Sequence, residues 1–176
     1  MALFQRIRVW KADATAEFYT CIEPLLENPQ IRRLDSYMQH YNYSRLRHSL
    51  DVAYWSFLIT RLLQWDSRAT ARAGLLHDMF YRDDDAPKTF RHMREHPAEA
   101  LSNARKICEL NEREADIILK HMWLFTLKPP RYKEGFVVTF VDKACALREI
   151  SVSIFTGTAR RSVFDTLPAL IYDFGE

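Results

Sequence analysis

The chain has 176 residues, of which 48% are hydrophobic and 27% charged, and its formal net charge is +2. Those values suit one soluble unit with a core of its own, exclude a disordered or collagenous chain, and show no strong basic excess of the kind that marks a nucleic-acid coat. With only four glycines, repeated tight hairpin turns are scarce and helices are favoured.

Charge appears early, in Met1-Ala2-Leu3-Phe4-Gln5-Arg6, where a signal peptide needs its apolar segment, and no run approaches the roughly eighteen apolar residues of a membrane span. The expectation is a cytoplasmic protein with no membrane partner. Cys21, Cys108 and Cys145 lack the paired spacing of a zinc knuckle or a disulfide framework, so they are expected to be buried free thiols.

In chain order, Phe18, Ile22, Leu25 and Leu26 recur at helical spacing and predict a helix from Asp13 to about Glu27, stopped by Asn28-Pro29. A short segment from Pro29 to Met38 places Ile31, Leu34 and Met38 on one face. It leads into the polar-aromatic stretch His40-Tyr41-Asn42-Tyr43. Ser44 is then the N-cap expected for a long helix through Leu63, in which Leu50, Val52, Ala53, Phe57, Leu58 and Leu62 surround the face carrying His48.

Asp66-Ser67 begins the next helix, with Ala69, Ala73, Leu75 and Leu76 as core candidates and His77-Asp78 in its C-terminal turn. Its small residues permit close packing. Arg82 to Lys88 is a charged loop containing Asp83, Asp84 and Asp85, more simply solvated than a cation cluster. His96-Pro97 is expected to open a helix whose inner side carries Ala98, Ala100, Leu101, Ala104, Ile107 and Cys108. Asn111 and Glu114 form a capping box for Glu112 to His121, with Ala115, Ile118, Leu119 and Met122 as the apolar stripe.

After Pro129-Pro130, residues Phe136 to Ile150 return to helix through Val138, Val141, Ala144, Cys145, Leu147 and Ile150. The tail from Ser151, with Val152, Ile154, Phe155, Val163, Phe164, Leu167, Leu170 and Ile171, reads as a helical lid. Trp55, Trp65, Trp123, Phe125 and Phe136 are expected in the core, Trp123 also being placed to wall a pocket beside His121. Arg131, Lys133, Arg160 and Arg161 read as scattered surface charge, His92 as surface, and His40 as a pocket-wall group.

The residues that carry chemistry are His48, the pair His77-Asp78, His96, His121 and Asp142, in the order H, HD, H, H, D. A helical histidine taken singly is usually a satisfied core or surface residue. Here Arg47-His48-Ser49, Leu75-Leu76-His77-Asp78, His96-Pro97, Ile118-Leu119-Lys120-His121-Met122-Trp123 and Val141-Asp142-Lys143 agree together in order, spacing and helical context. Over about residues 40 to 150 the chain resembles the HD-domain superfamily of metal-dependent phosphohydrolases.

The resemblance implies an all-α helical bundle, a single domain spanning 1-176, with a metal site between helices, the N-terminal helices and the C-terminal lid packing on the motif-bearing core. It implies that His48, His77, Asp78 and Asp142 hold one cation and that Asp78 bridges to a second held by His96 and His121. The ion is a divalent transition metal, one or two per chain, with Fe, Mn, Co, Ni and Zn all compatible with imidazole and carboxylate ligands. Two such ions lie about 3.5–4 Å apart, and a metal-bound hydroxide is the nucleophile for a small-molecule phosphate ester or nucleotide.

Arg82 and Lys143 are the candidates, alongside Asp78, for catalytic roles, as cations that neutralise the phosphate. The chain departs from many relatives in continuing His77-Asp78 with Met79-Phe80-Tyr81 instead of Ile-Gly-Lys, so the lysine facing the phosphate is missing. No Gly-Tyr-Pro follows the pair, which argues against the cyclic-dinucleotide branch. Two other functions share the ligand set: a di-iron oxygenase of the same fold, and a non-catalytic sensor of a nucleotide or metal.

Overall fold

The computed structural model describes residues 2–40, 43–81 and 90–156, with side chains described from residue 12, and not for 40 or for 90–92 and 152–156. The expected lid beyond Thr156, the acidic loop around Asp83 and Arg82 lie outside the described residues, as do the side chains of His40 and His92. Among the described residues the elements are α1 (Ala2–Leu26), α2 (Pro29–Arg32), β1 (Met38–His40), β2 (Tyr43–Ser44), α3 (Arg45–Leu62), α4 (Ser67–Leu76), α5 (Phe90–Ile107), α6 (Glu112–Lys120) and α7 (Lys133–Thr156). The fold is all-α apart from the small antiparallel pair β1–β2. None of these helices is long and apolar enough to cross a membrane.

Helix α3 is the axis of the molecule. Twelve of its residues are buried, among them the polar groups Arg45, His48, Ser49, Asp51, Ser56 and Thr60, while Trp55, Ile59 and Leu62 form an exposed stripe. A helix covered over most of its surface buries polar as well as apolar positions and loses the usual amphipathic pattern. It packs against α1, α4 and α7. The Ser44 cap is in place, its hydroxyl accepting from the Arg47 amide at 3.3 Å, while Leu62 at the C-terminal end is 73% exposed instead of buried.

Helix α1 supplies Phe18, Ile22, Leu25 and Leu26 to the core as the periodicity predicts, and begins well before Asp13. Phe18 packs edge-on to Tyr54 at 5.1 Å and against Phe57 at 5.4 Å. Asn28 does more than stop α1, since its side chain accepts from the Gln30 amide at 2.9 Å and caps α2. Ile31 and Leu34 are buried, but Met38 has left the helical face for β1 and is 45% exposed.

Helices α3 and α4 approach each other closely at Gly74. A Cβ placed on Gly74 would come within 2.8 Å of Ala53 Cα, so only a hydrogen at position 74 lets the backbones meet. Asp66 caps α4 by accepting from the Ala69 amide at 2.9 Å. Helix α5 starts earlier than expected, at Phe90, so Pro97 lies inside the helix and not in its first turn. Ala100, Leu101 and Ala104 face the core whereas Ala98 is exposed.

The capping box of α6 forms as predicted: Glu114 N donates to Asn111 Oδ1 at 2.8 Å and Asn111 N to Glu114 Oε2 at 2.9 Å. Ile117, not Leu119, completes its buried stripe. Losing the side-chain half of this box in Asn111→Ala is expected to cost about 1 kcal/mol, read by thermal or urea denaturation. The aromatic residues expected in the core are only partly there. Trp55 and Phe125 are 40% and 41% exposed, and Trp65, Trp123 and Phe136 are half-buried. Cys21 and Cys145 are buried free thiols, while Cys108 is half-buried.

Candidate metal centre

Five helices deliver the six predicted residues to one buried point. His48 comes from the second turn of α3, His77 and Asp78 from the turn that ends α4, His96 from the middle of α5, His121 from the C-cap of α6, and Asp142 from α7. All six are buried, Asp142 and His96 being the most exposed at 6% each.

His48 Nε2 is 3.1 Å from Asp142 Oδ1. His77 Nε2 lies 3.5 Å from Asp78 Oδ2 and 3.8 Å from Asp142 Oδ1. On the other side of Asp78, Oδ1 is 3.3 Å from His96 Nε2 and 3.4 Å from His121 Nε2, and those two nitrogens are 2.9 Å apart. His48, His77 and Asp78 form one group of mutually close ligand atoms and Asp78, His96 and His121 another, both containing Asp78, while a third group, His77, His121 and Asp142, spans them.

The backbone fixes which face each ring presents. His77 Nδ1 donates to the Gly74 carbonyl at 2.7 Å and His121 Nδ1 to the Ile118 carbonyl at 2.8 Å. Both rings therefore aim the Nε2 lone pair inward, the tautomer a metal ligand needs. His48 also turns Nε2 inward, its Nδ1 lying 2.9 and 3.1 Å from the two carboxylate oxygens of Glu149 and its Nε2 3.1 Å from Asp142 Oδ1, to which the protonated ring donates.

The donor set fits a cation. His77 Nε2 and Asp78 Oδ1 are buried with no hydrogen-bond partner, a state that costs about 1–3 kcal/mol per group unless something fills it. Inward-facing imidazole lone pairs beside two carboxylates supply what such a filler must be: a positive ion with affinity for nitrogen and oxygen. His48, His77, Asp78 and Asp142 could hold one ion, and Asp78, His96 and His121 a second.

Charge is poised accordingly. Burial opposes the ionised form of Asp78, yet His77, His121 and His96 hold its carboxyl well below the usual range. Burial likewise works against Asp142, and the hydrogen bond from His48 with the charge of Lys143 brings it down. Burial takes His121 down to about 4. For His48 the penalty of burial is outweighed by the charge of Glu149 and by hydrogen bonds to Asp142 and Glu149, which hold it up at about 10.

A pH dependence follows for the metal-free protein. His121 binds its proton more weakly folded than unfolded, so stability falls as pH drops from about 6.5 towards 4. His48 binds more strongly folded, so its contribution is complete below about 6.5 and is lost as pH rises through about 10. At pH 8 His48 therefore carries a proton that a metal must displace, and titration calorimetry in buffers of different ionisation enthalpy should show that proton released on metal uptake. Identical heats in all buffers would contradict this.

Four residues that support the cluster, two of them directly, carry no motif in the sequence. Glu149 stands seven residues after Asp142, two turns along the same face of α7, and that spacing is the signal by which it could have been found. Gln39 donates from Nε2 to Asp78 Oδ2 at 2.6 Å and accepts from Arg45 Nε at 2.9 Å. Arg45 is fully buried, donates to the Phe80 carbonyl at 2.8 Å and stacks over the Phe80 ring at 3.7 Å. Asn103 of α5 ties the same turn by donating to the Met79 carbonyl at 3.0 Å.

Of the cations expected near a phosphate, Lys143 is at the rim of the cluster. Its Nζ lies 2.6 Å from Asp142 Oδ2 and 2.9 Å from Met122 Sδ, with the side chain 21% exposed. Trp123 follows His121 but packs away towards α7, edge-on to Phe136 at 5.1 Å and Phe140 at 6.4 Å. Arg131 and Lys133 are exposed, as expected.

A helical core that buries a His/Asp cluster in this order defines a class of metal-binding proteins, and the comparison by sequence agrees. The HD domain family model matches residues 45–147, and the chain belongs to that family. Comparison with curated proteins gave no match, and neither did comparison with solved structures. HD domains bind divalent metals and are commonly metal-dependent hydrolases.

Proposed function

We propose that this chain is a metal-dependent phosphohydrolase acting on a small phosphate ester or a nucleotide, with His48, His77, Asp78 and Asp142 holding one divalent ion and Asp78, His96 and His121 a second. The observation that carries the reading is the pair of unpartnered buried atoms, His77 Nε2 and Asp78 Oδ1, at the meeting point of five helices. When bound, the ions supply Lewis acidity, which neutralises phosphoryl charge and lowers the pKa of a water from about 15.7 towards 7.

The chain's own groups prepare that chemistry. Gln39 fixes the Asp78 carboxylate through Oδ2, leaving Oδ1 turned to His96 and His121. Lys143 holds Asp142 through Oδ2, so Oδ1 stays with His48, and its ammonium is a positive charge at the rim for an incoming phosphate. Arg82 is proposed for the same task from its position after the His-Asp pair. No serine or cysteine nucleophile is required.

The test is hydrolysis of generic phosphate esters and a nucleotide panel by protein loaded with Mn, Co, Fe, Ni or Zn. Phosphate release that needs the metal and proceeds without oxygen supports the reading. Fully metal-loaded protein that turns over only with O2 would make it an oxygenase, and one that binds nucleotide without forming product would make it a sensor. In the hydrolase, Lys143→Met is expected to lower kcat/KM by roughly 10–100-fold, at about 1.4 kcal/mol per tenfold.

A further inference from the structure

We infer that the two cation sites are unequal, and that Glu149 makes the site containing His48 the tighter one by acting as a positioning residue on the His48 imidazole. The inference rests on the metal-binding reading above and concerns which site fills first.

The three histidines whose outer nitrogen is accounted for do not share one kind of partner. His77 and His121 donate Nδ1–H to backbone carbonyls, those of Gly74 and Ile118. His48 faces both oxygens of a carboxylate, Glu149, at 2.9 and 3.1 Å. Glu149 is 1% exposed, so little solvent screens its charge. A carboxylate behind an imidazole pulls on the Nδ1 proton, raises electron density at Nε2, and holds the ring in the orientation a metal needs.

The carboxylate count points the same way. The His48 site has Asp78 and Asp142 as ligand candidates with Glu149 directly behind, whereas the other site has Asp78 with His96 and His121. Among the ligand candidates of the described residues, with Glu149 added, the first site thus draws on three acidic side chains and the second on the shared Asp78. A divalent ion entering the metal-free protein meets its larger charge complement at His48, and the second ion then binds beside a positive charge already in place. Sequential filling with a clear affinity gap is the consequence.

The seam between α3 and α7 contains its own control. One turn beyond His48, buried Asp51 pairs with Arg148, the neighbour of Glu149. Asp51 is a buried α3 carboxylate in an ion pair across the same seam, but that partner is an arginine and not a metal ligand.

The experiment is calorimetric titration of metal-stripped full-length protein with Mn(II) or Zn(II) alone, each affinity being corrected for the proton His48 gives up on metal uptake, and it needs no turnover. Wild type should give two resolved steps. Glu149→Gln keeps the size and a hydrogen-bond acceptor but removes the charge, and should weaken the first step by roughly 10–100-fold while leaving the second, which also reports an intact fold. Glu149→Asp should recover part of the loss, and serves if the glutamine variant does not fold. Asp51→Asn should leave both steps in place while lowering Tm.

Equal weakening of both steps by Glu149→Gln, or no weakening, would overturn the inference while leaving metal binding intact. So would a tighter step that vanishes in His96→Ala and survives in His48→Ala. Wild-type protein that takes up no metal under any loading would overturn this inference together with the reading beneath it.

Discussion

Asp78→Ala is expected to reduce metal-dependent phosphate release to the uncatalysed background and to abolish metal retention through dialysis. Asp78 is the residue shared by both groups of ligand atoms, with His77 within 3.5 Å of Oδ2 and His96 and His121 within 3.3 and 3.4 Å of Oδ1. Its removal deletes an oxygen ligand from each site at once. The histidines are left with imidazole nitrogens crowded together and no carboxylate between them, His96 Nε2 being 2.9 Å from His121 Nε2.

Asp78→Asn separates charge from shape, since the amide nearly matches the carboxylate in size. It should also lose the second ion, because among the described residues that site has no other acidic ligand candidate, whereas Asp142 remains for the first. One ion per chain in Asp78→Asn, measured by elemental analysis against two in wild type, is the expected result. Two retained ions would mean that Asp78 does not bridge.

Gly74→Val should disable the centre from outside it. The new Cβ would sit 2.8 Å from Ala53 Cα and 3.2 Å from Ala53 N, both backbone atoms that cannot rotate aside. Helices α3 and α4 must then move apart, and these helices carry His48 and lead directly into His77-Asp78. Overpacking of this kind costs about 1–3 kcal/mol where neighbours can adjust, and more against fixed backbone. Because the Gly74 carbonyl also orients His77 through Nδ1, metal affinity should fall along with Tm. A variant with a lowered Tm and unaltered metal affinity would show that the close approach serves packing alone.

Much of the fold and the site is legible in the sequence, for physical reasons that can be named residue by residue. The six residues that meet in the cluster announce themselves because they are His and Asp at positions where helix propensity does not call for them. The caps Ser44, Asp66 and Asn111 are local interactions within three residues, so local reading finds them. The single-sided periodicity of α1 survives because that helix covers the core from outside.

The misses share a cause, since each depends on contacts distant in sequence. Leu62 and Leu119 sit at plausible helical positions, but no element among the described residues covers them, and they are 73% and 42% exposed. Pro97 reads as a helix start because the residues before it lack an apolar stripe, yet α5 begins at Phe90. Met38 follows helical spacing and instead pairs with Ser44 in β1–β2. That short sheet places Gln39 within hydrogen-bonding distance of Asp78. Glu149 is missed for a related reason: its only local signal is the spacing from Asp142, and its role comes from the imidazole 101 positions earlier that it touches.

The most direct test of metal binding at this centre is anomalous diffraction, at the absorption edge of the loaded metal, from crystals of the full chain prepared with Mn(II) or Zn(II). Two-ion binding predicts one peak enclosed by His48, His77, Asp78 and Asp142, a second enclosed by Asp78, His96 and His121, and the loss of both in Asp78→Ala. Peaks confined to other residues, or none within this cluster in fully loaded protein, would contradict it.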